Sequence, residues 1–268
     1  MNKSFLIIVE GKVFEKELFN NIFLRYGYEV RVIDESIRIP INDDYIEFLT
    51  TELNSEKNNV IIAQGPKTKI DDFVKLFNNQ TMDFSRFFNK CPDYFGGVFL
   101  IYDVDHNSNE SVNSMFDKFN DESTGLLLLS SPCIEVLGDC DHQEENKELI
   151  VSSLKKYKAV LNNKYNLSNS RYANIFDYIV NNFENCVLYF LNKNTIDFNN
   201  KNVLEHPELV KDKINSSNIR KTTIDDKECS IFRYFTTVLY VSIAYIKGLT
   251  KEIDNYEIVK KFFESKIN

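Results

Sequence analysis

Phe5-Leu6-Ile7-Ile8-Val9 runs without a break into Glu10 and Gly11. An apolar run this short and continuous reads as a strand buried on both faces. Val13, Phe14, Leu18, Phe19, Ile22 and Phe23 follow on one side of a helical pattern. The stretch therefore predicts a strand that turns through glycine into a helix. In open α/β sheets, ligands bind at the carboxyl ends of the strands. A carboxylate beside a buried strand is costly unless it has a partner, such as a metal. Glu10 is thus either an active-site acid or a solvated strand end.

A second run favours the active-site reading. Val98-Phe99-Leu100-Ile101-Tyr102 leads into Asp103-Val104-Asp105. Two apolar runs that end in acids suggest one shared patch holding Glu10, Asp103 and Asp105. Like charges gathered there repel, and a hard divalent cation relieves the repulsion. Mg²⁺ suits such a patch, because it takes one or two carboxylates and fills its remaining positions with water and phosphate oxygens.

The formal net charge is −8 over 268 residues. That balance excludes a surface that binds polyanions by charge alone. Nucleic acid would need a local basic patch, a metal or a positively charged partner. Lys67, Lys69, Arg171, Arg220 and Lys221 are candidates for phosphate contact. The five cysteines are scattered with no CxxC pair, which predicts reduced thiols in a cytoplasmic protein. His106, His142 and His206 lack zinc-ligand spacing. His106 is a minor candidate for proton relay. No secretory pattern opens the chain. The apolar stretch Tyr234 to Ile246 is interrupted by Thr236, Thr237 and Ser242. It is shorter than the roughly 20 residues a membrane span needs, so a core helix and no membrane role are expected.

Along the chain, Tyr28 to Val32 predicts a second strand and Asn59 to Gln64 a third. Asp43 to Leu53 and Ile70 to Phe77 have helical spacing, as does Met115 to Phe119. Phe84 to Asn89 is ambiguous. Leu126 to Leu129 predicts a fifth strand, and Glu135 follows it as a further strand-end acid. The alternation implies α/β architecture with a mostly parallel sheet flanked by helices. Beyond a boundary near Gly138 to Gln143, helices are expected over Glu144 to Leu161, Tyr172 to Leu191, Leu204 to Ile219, Phe232 to Ile246 and Ile258 to Ile267, with no strand. The expected domains are 1–140, α/β, and 141–268, a helical C-terminal region.

These residues resemble the Toprim domain of topoisomerases, primases and OLD-type nucleases. More narrowly, Glu10-Gly11 with Glu15 and Phe19, then Asp103-Val104-Asp105, then Ser131-Pro132-Cys133-Ile134-Glu135, are similar to RloB-like proteins. That family has an EGxxTE opening, a DxD and a SNPCFE-type segment in the same order. The resemblance covers roughly residues 5 to 137 and keeps every acid. Phe14 replaces a Thr, Ser131 an Asn and Leu137 a Trp.

The resemblance implies a Toprim-like sheet and a Mg²⁺- or Mn²⁺-dependent nuclease cutting RNA such as tRNA, or DNA. It also implies a toxic effector in anti-phage loci, accompanied by an ABC/AAA-type ATPase. By residue, it makes Glu10 a metal ligand or general acid/base and has Asp103 and Asp105 hold the metal. Glu15 and Glu135 would complete or orient the site. The oligomeric state is left open, a homo-oligomer included. A non-catalytic module that regulates a defence ATPase is the rival, and a primase-like nucleotidyl transferase ranks last. An EF-hand starting at Asp103 is rejected, because Ser108 and Ser114 stand where it needs Gly and Glu. The chain has neither GxGxxG nor GxxxxGK[ST], so ATP dependence would come from the partner.

Overall fold

The structure is a computed structural model. It describes residues 4–11, 13–36, 49–50, 59–65, 70, 73–74, 81–104, 107, 109–139, 148–151, 153–164, 173–193, 220–224, 227–233 and 235–241. The chain forms two compact units, residues 1–102 with 106–128, and residues 103–105 with 129–268.

The first unit is built on β1 (Phe5–Val9), β2 (Glu29–Ser36), β3 (Asn59–Gln64), β4 (Gly97–Asp103), β5 (Asn120–Asp121) and β6 (Gly125–Ser131), of which the last residue of β4 and the last three of β6 belong to the second unit. The strand order is β6-β4-β1-β3-β2, with β5 paired to β6. β2, β3, β1 and β4 run parallel to one another. Parallel strands need crossovers, and α1 (Phe14–Arg25) supplies the one that carries the chain from β1 past the position of β3 to β2. Every residue of β1 and β3 is buried, as the continuous apolar runs require. Leu6, Ile7 and Ile8 are fully excluded from water, each contributing about 1.5–3 kcal/mol by burial. On α1, Phe14, Leu18, Phe19, Ile22 and Phe23 form the buried face. Gly27 ends the helix at φ 79°. Tyr28 N–H there donates to Phe23 O at 3.1 Å and Gly27 N–H to Leu24 O at 3.0 Å, a closure that favours glycine.

The ambiguous region before β4 is α2 (Thr81–Tyr94), and the short helix after it is α3 (Asn109–Lys118). An aromatic cluster ties these to the sheet. Phe73 meets Tyr102 and Phe119 edge-on, with centroids 5.8 and 5.6 Å apart, and Phe88 meets Phe119 at 4.8 Å. Only 49–50 of the helix expected at Asp43 to Leu53 are described, and only 70, 73 and 74 of that at Ile70 to Phe77; these residues are helical.

The second unit departs from the all-helical expectation. It contains a short 3₁₀ helix (Ile134–Asp139), β7 (Glu148–Val151), α4 (Leu154–Lys164), α5 (Ala173–Asn181), α6 (Phe183–Lys193), β8 (Arg220–Ile224), β9 (Lys227–Arg233) and β10 (Phe235–Thr236). β7, β9 and β8 form a three-stranded antiparallel sheet. Thr222, Thr223 and Ile224 favour that sheet through their branched Cβ, but the polar run from Arg220 to Thr223 hid the strand.

Within the helix expected over Glu144 to Leu161, the described residues form β7 and then α4, which Ser153 opens by accepting from Lys156 N–H at 3.2 Å. Of the helix expected over Tyr172 to Leu191, the described residues form two helices, broken at Asn182, whose side chain donates to Tyr178 O at 2.9 Å. The helix expected from Phe232 begins instead as the end of β9 and as β10. β10 pairs antiparallel with the end of β6, Phe235 opposite Ser131 and Thr236 opposite Ser130. The helices expected at Leu204 to Ile219 and Ile258 to Ile267 lie outside the described residues. Among the described residues, no helix is long and apolar enough to cross a membrane.

Candidate active site

In the first unit, register fixes what stands at the strand ends. Val9 pairs with Gln64 of β3 and Ile101 of β4. One residue further on, Glu10 N–H donates to Ile101 O at 3.0 Å, and Gly65 N–H to Val9 O at 2.9 Å. Glu10, Gly65 and Tyr102 therefore stand level at the carboxyl ends of adjacent strands. Tyr102 is 1% exposed. Its ring packs edge-on to Phe73, while its hydroxyl has no hydrogen-bond partner among the described residues. A buried hydroxyl normally finds one. Burial first, and the Glu10 carboxylate second, push the Tyr102 phenol well above its usual range.

Glu15 lies in the first turn of α1 and is buried. That end of a helix favours negative charge. Its carboxylate packs over Gly11, where a Cβ would collide with it. Gly11 thus admits the acid against the backbone of the β1–α1 turn.

In the second unit, Val104 N–H donates to Ser130 O at 2.9 Å, and Asp103 is half-buried. β10 and the residue after it fix the end of β6 through Leu129 N–H donating to Thr237 Oγ1 at 2.8 Å and a 2.9 Å Ser130–Thr236 hydroxyl bond. Cys133 and Glu135 follow, both buried. Lys158 of α4 reaches Glu135, Nζ to Oε2, at 3.1 Å, and its own side chain is 37% exposed. Burial, then Glu135, then Asp103 push the Cys133 thiol well above its ordinary range. The thiol is therefore protonated and not a nucleophile. Desolvation opposes charge on Lys158, but the Glu135 and Asp103 carboxylates hold the ammonium above the usual lysine range.

Lys158→Met should destabilise the fold by about 1–2 kcal/mol, because it leaves Glu135 buried with its charge unbalanced. The figure lies below that of a fully buried pair because water screens the lysine. Lys158 has a raised folded pKa, so its contribution is complete below the unfolded value of about 10.4 and is lost as pH climbs beyond it. Denaturant titrations should therefore show a constant gap between wild type and variant from about pH 7 to 9, and a shrinking gap in stronger alkali.

Of the sequence-predicted acids, Glu10 and Glu15 lie in the first unit, and Asp103 and Glu135 in the second. In the second unit, Asp103 and Glu135 both act on Cys133 and Lys158. Asp105, His106, Lys67, Lys69, Arg171, His142, His206 and Cys140 lie outside the described residues. Arg220 and Lys221 are in β8. Cys91, Cys133, Cys186 and Cys229 are buried and in no disulfide.

Among the described residues, no three His, Cys, Asp or Glu side chains gather as a metal group. Glu10 and Asp103 have the oxygen-donor chemistry that suits Mg²⁺ or Mn²⁺. Glu135 already faces an ammonium, which disfavours a second cation and suits an orienting role. Sequence reasoning missed two side chains. Tyr102 carried a signal, a hydroxyl at the buried end of an apolar run. Lys158 carried none, being one lysine among several on a polar helix. Compared with protein-family models, curated proteins and solved structures, the chain matches none.

Proposed function

We propose that this chain is a metal-dependent nuclease of the Toprim type that hydrolyses phosphodiester bonds in RNA such as tRNA, or in DNA. It acts as a toxic effector in anti-phage defence alongside an ABC/AAA-type ATPase. The observation that carries the reading is Glu10, an acid at the carboxyl end of a fully buried parallel strand, level with a buried tyrosine whose hydroxyl has no partner among the described residues. Carboxylates in such surroundings concentrate at functional sites.

In this reading Glu10 accepts a proton from water, and Asp103 and Asp105 are the residues that hold Mg²⁺ or Mn²⁺. Glu15 and Glu135 orient their neighbours. The bound metal supplies positive charge for the phosphate and the leaving oxygen. A non-catalytic module regulating the ATPase is the second reading. The net charge of −8 favours it, because a free nuclease gains from basic steering toward its substrate.

The test is cleavage of supercoiled DNA and of total tRNA by the purified protein in Mg²⁺, Mn²⁺ or EDTA, with and without the ATPase. Cutting in metal that EDTA abolishes is the expected result, and the substrate cut separates DNA from RNA. Silence in every condition, the ATPase included, sinks the nuclease and leaves the regulatory module.

A further inference from the structure

In the second unit, α4 carries Lys155, Lys156 and Lys158 close together. Lys155 and Lys156 are exposed, whereas Leu154 and Tyr157 are buried. Lys158 follows Leu154 by one helical turn, and side chains four apart share a face. That spacing turns Lys158 inward while its two neighbours stay in water. Its Nζ meets Glu135 Oε2 at 3.1 Å, with the lysine side chain 37% exposed and the glutamate 5%. The carboxylate is thus fixed inside, and the ammonium stands where water begins. The charge of Asp103 also reaches that ammonium. Cys133 beside them is fully buried, and as a protonated thiol it adds no charge to balance. The single negative charge of Glu135 is therefore answered from within the chain. A divalent ion placed on Glu135 would lie against the ammonium and be repelled by it.

We infer that Lys158, held by Glu135, is a built-in cation that stands in the place of a second divalent metal beside Asp103. The inference rests on the nuclease reading for its use in cleavage, and on the ion pair for the cation itself. Glu135 is then a positioning residue for Lys158 and not a metal ligand. An ammonium has three N–H donors and meets phosphate as a point charge. With one donor on Glu135, the exposed part of the side chain leaves the others able to reach a phosphate oxygen of the substrate. Lys158 keeps its protons throughout, and no bond to it is made or broken.

The experiment titrates the full chain with Mn²⁺, counts bound ions from the electron paramagnetic resonance signal of the free ion, and follows melting with and without Mn²⁺. It compares wild type with Lys158→Met, Glu135→Gln and the double variant. Lys158→Met should bind one Mn²⁺ more per chain than wild type, and Mn²⁺ should raise its melting temperature more than that of wild type. The double variant should lose both effects, and Glu135→Gln should keep the wild-type count. In an active wild type, Lys158→Met should lose about tenfold or more in kcat at the Mn²⁺ concentration that saturates wild type. An equal count in wild type and Lys158→Met overturns the inference, even where the nuclease cuts. An ion lost in Glu135→Gln overturns it as well, and decides alone where Lys158→Met does not fold. A kcat within twofold of wild type overturns the role in cleavage. The count needs no substrate, so a chain that gains the ion yet cuts nothing supports the built-in cation and overturns the nuclease.

Discussion

Glu10→Gln is expected to lower cleavage by about 10²–10⁴-fold, the range lost when a general base is removed, with little change in melting temperature. The two effects separate because of where Glu10 stands. Its backbone N–H, which donates to Ile101 O, is kept by any non-proline residue. Its side chain lies beyond the buried part of β1 and is half-exposed. Glutamine preserves its shape but removes its negative charge and its ability to accept a proton. Single-turnover cleavage at saturating substrate is the measurement to make, because it reads the chemical step apart from product release. A variant that cuts at the wild-type rate excludes Glu10 as the base. A variant that unfolds shows that the carboxylate is structural, and Glu10→Ala, with no polar group to misplace, then decides between packing and charge.

Strands β1, β3, β4 and β6 were legible in the sequence because they are buried on both faces. Such a strand must be apolar at every position, and Phe5 to Val9, Val60 to Ala63 and Val98 to Tyr102 all carry that requirement openly. β5, two residues of Asn and Asp, carries no pattern. The second unit's sheet was not legible for a related reason. β8 and β9 alternate charged and polar residues with a few apolar ones, and Lys227, Glu228 and Thr223 are exposed. Their antiparallel pairing over Arg220 to Arg233 comes from cross-strand partners and not from an apolar run. Among the site residues, the acids announced themselves by following apolar runs. Lys158 could not, because its partner Glu135 is 23 residues away in sequence and only the fold joins them.

Gly65→Ala should destabilise the protein by about 2–3 kcal/mol, at the upper end of typical overpacking costs, and Tyr102→Phe should reverse that loss. In wild type, a Cβ at residue 65 would collide with the Tyr102 hydroxyl, but its next nearest neighbours are Tyr102 Cζ at 3.5 Å and Ile8 Cγ2 at 3.6 Å. Those two distances are ordinary contacts, so the hydroxyl oxygen alone forbids alanine. The tyrosine ring cannot easily retreat, because Phe73 packs edge-on against it and the interior is close-packed. Deleting the oxygen removes the clash and an unsatisfied group together. In the Tyr102→Phe background, alanine at 65 should then be neutral or stabilising by about 0.4–1 kcal/mol, since it restricts the unfolded chain. The coupling in a four-protein denaturation cycle should therefore be about 2–3 kcal/mol, within the range found for residues in contact. Additive effects would show that Gly65 is required by something other than the Tyr102 hydroxyl, and the level placement of Glu10, Gly65 and Tyr102 would lose its energetic support.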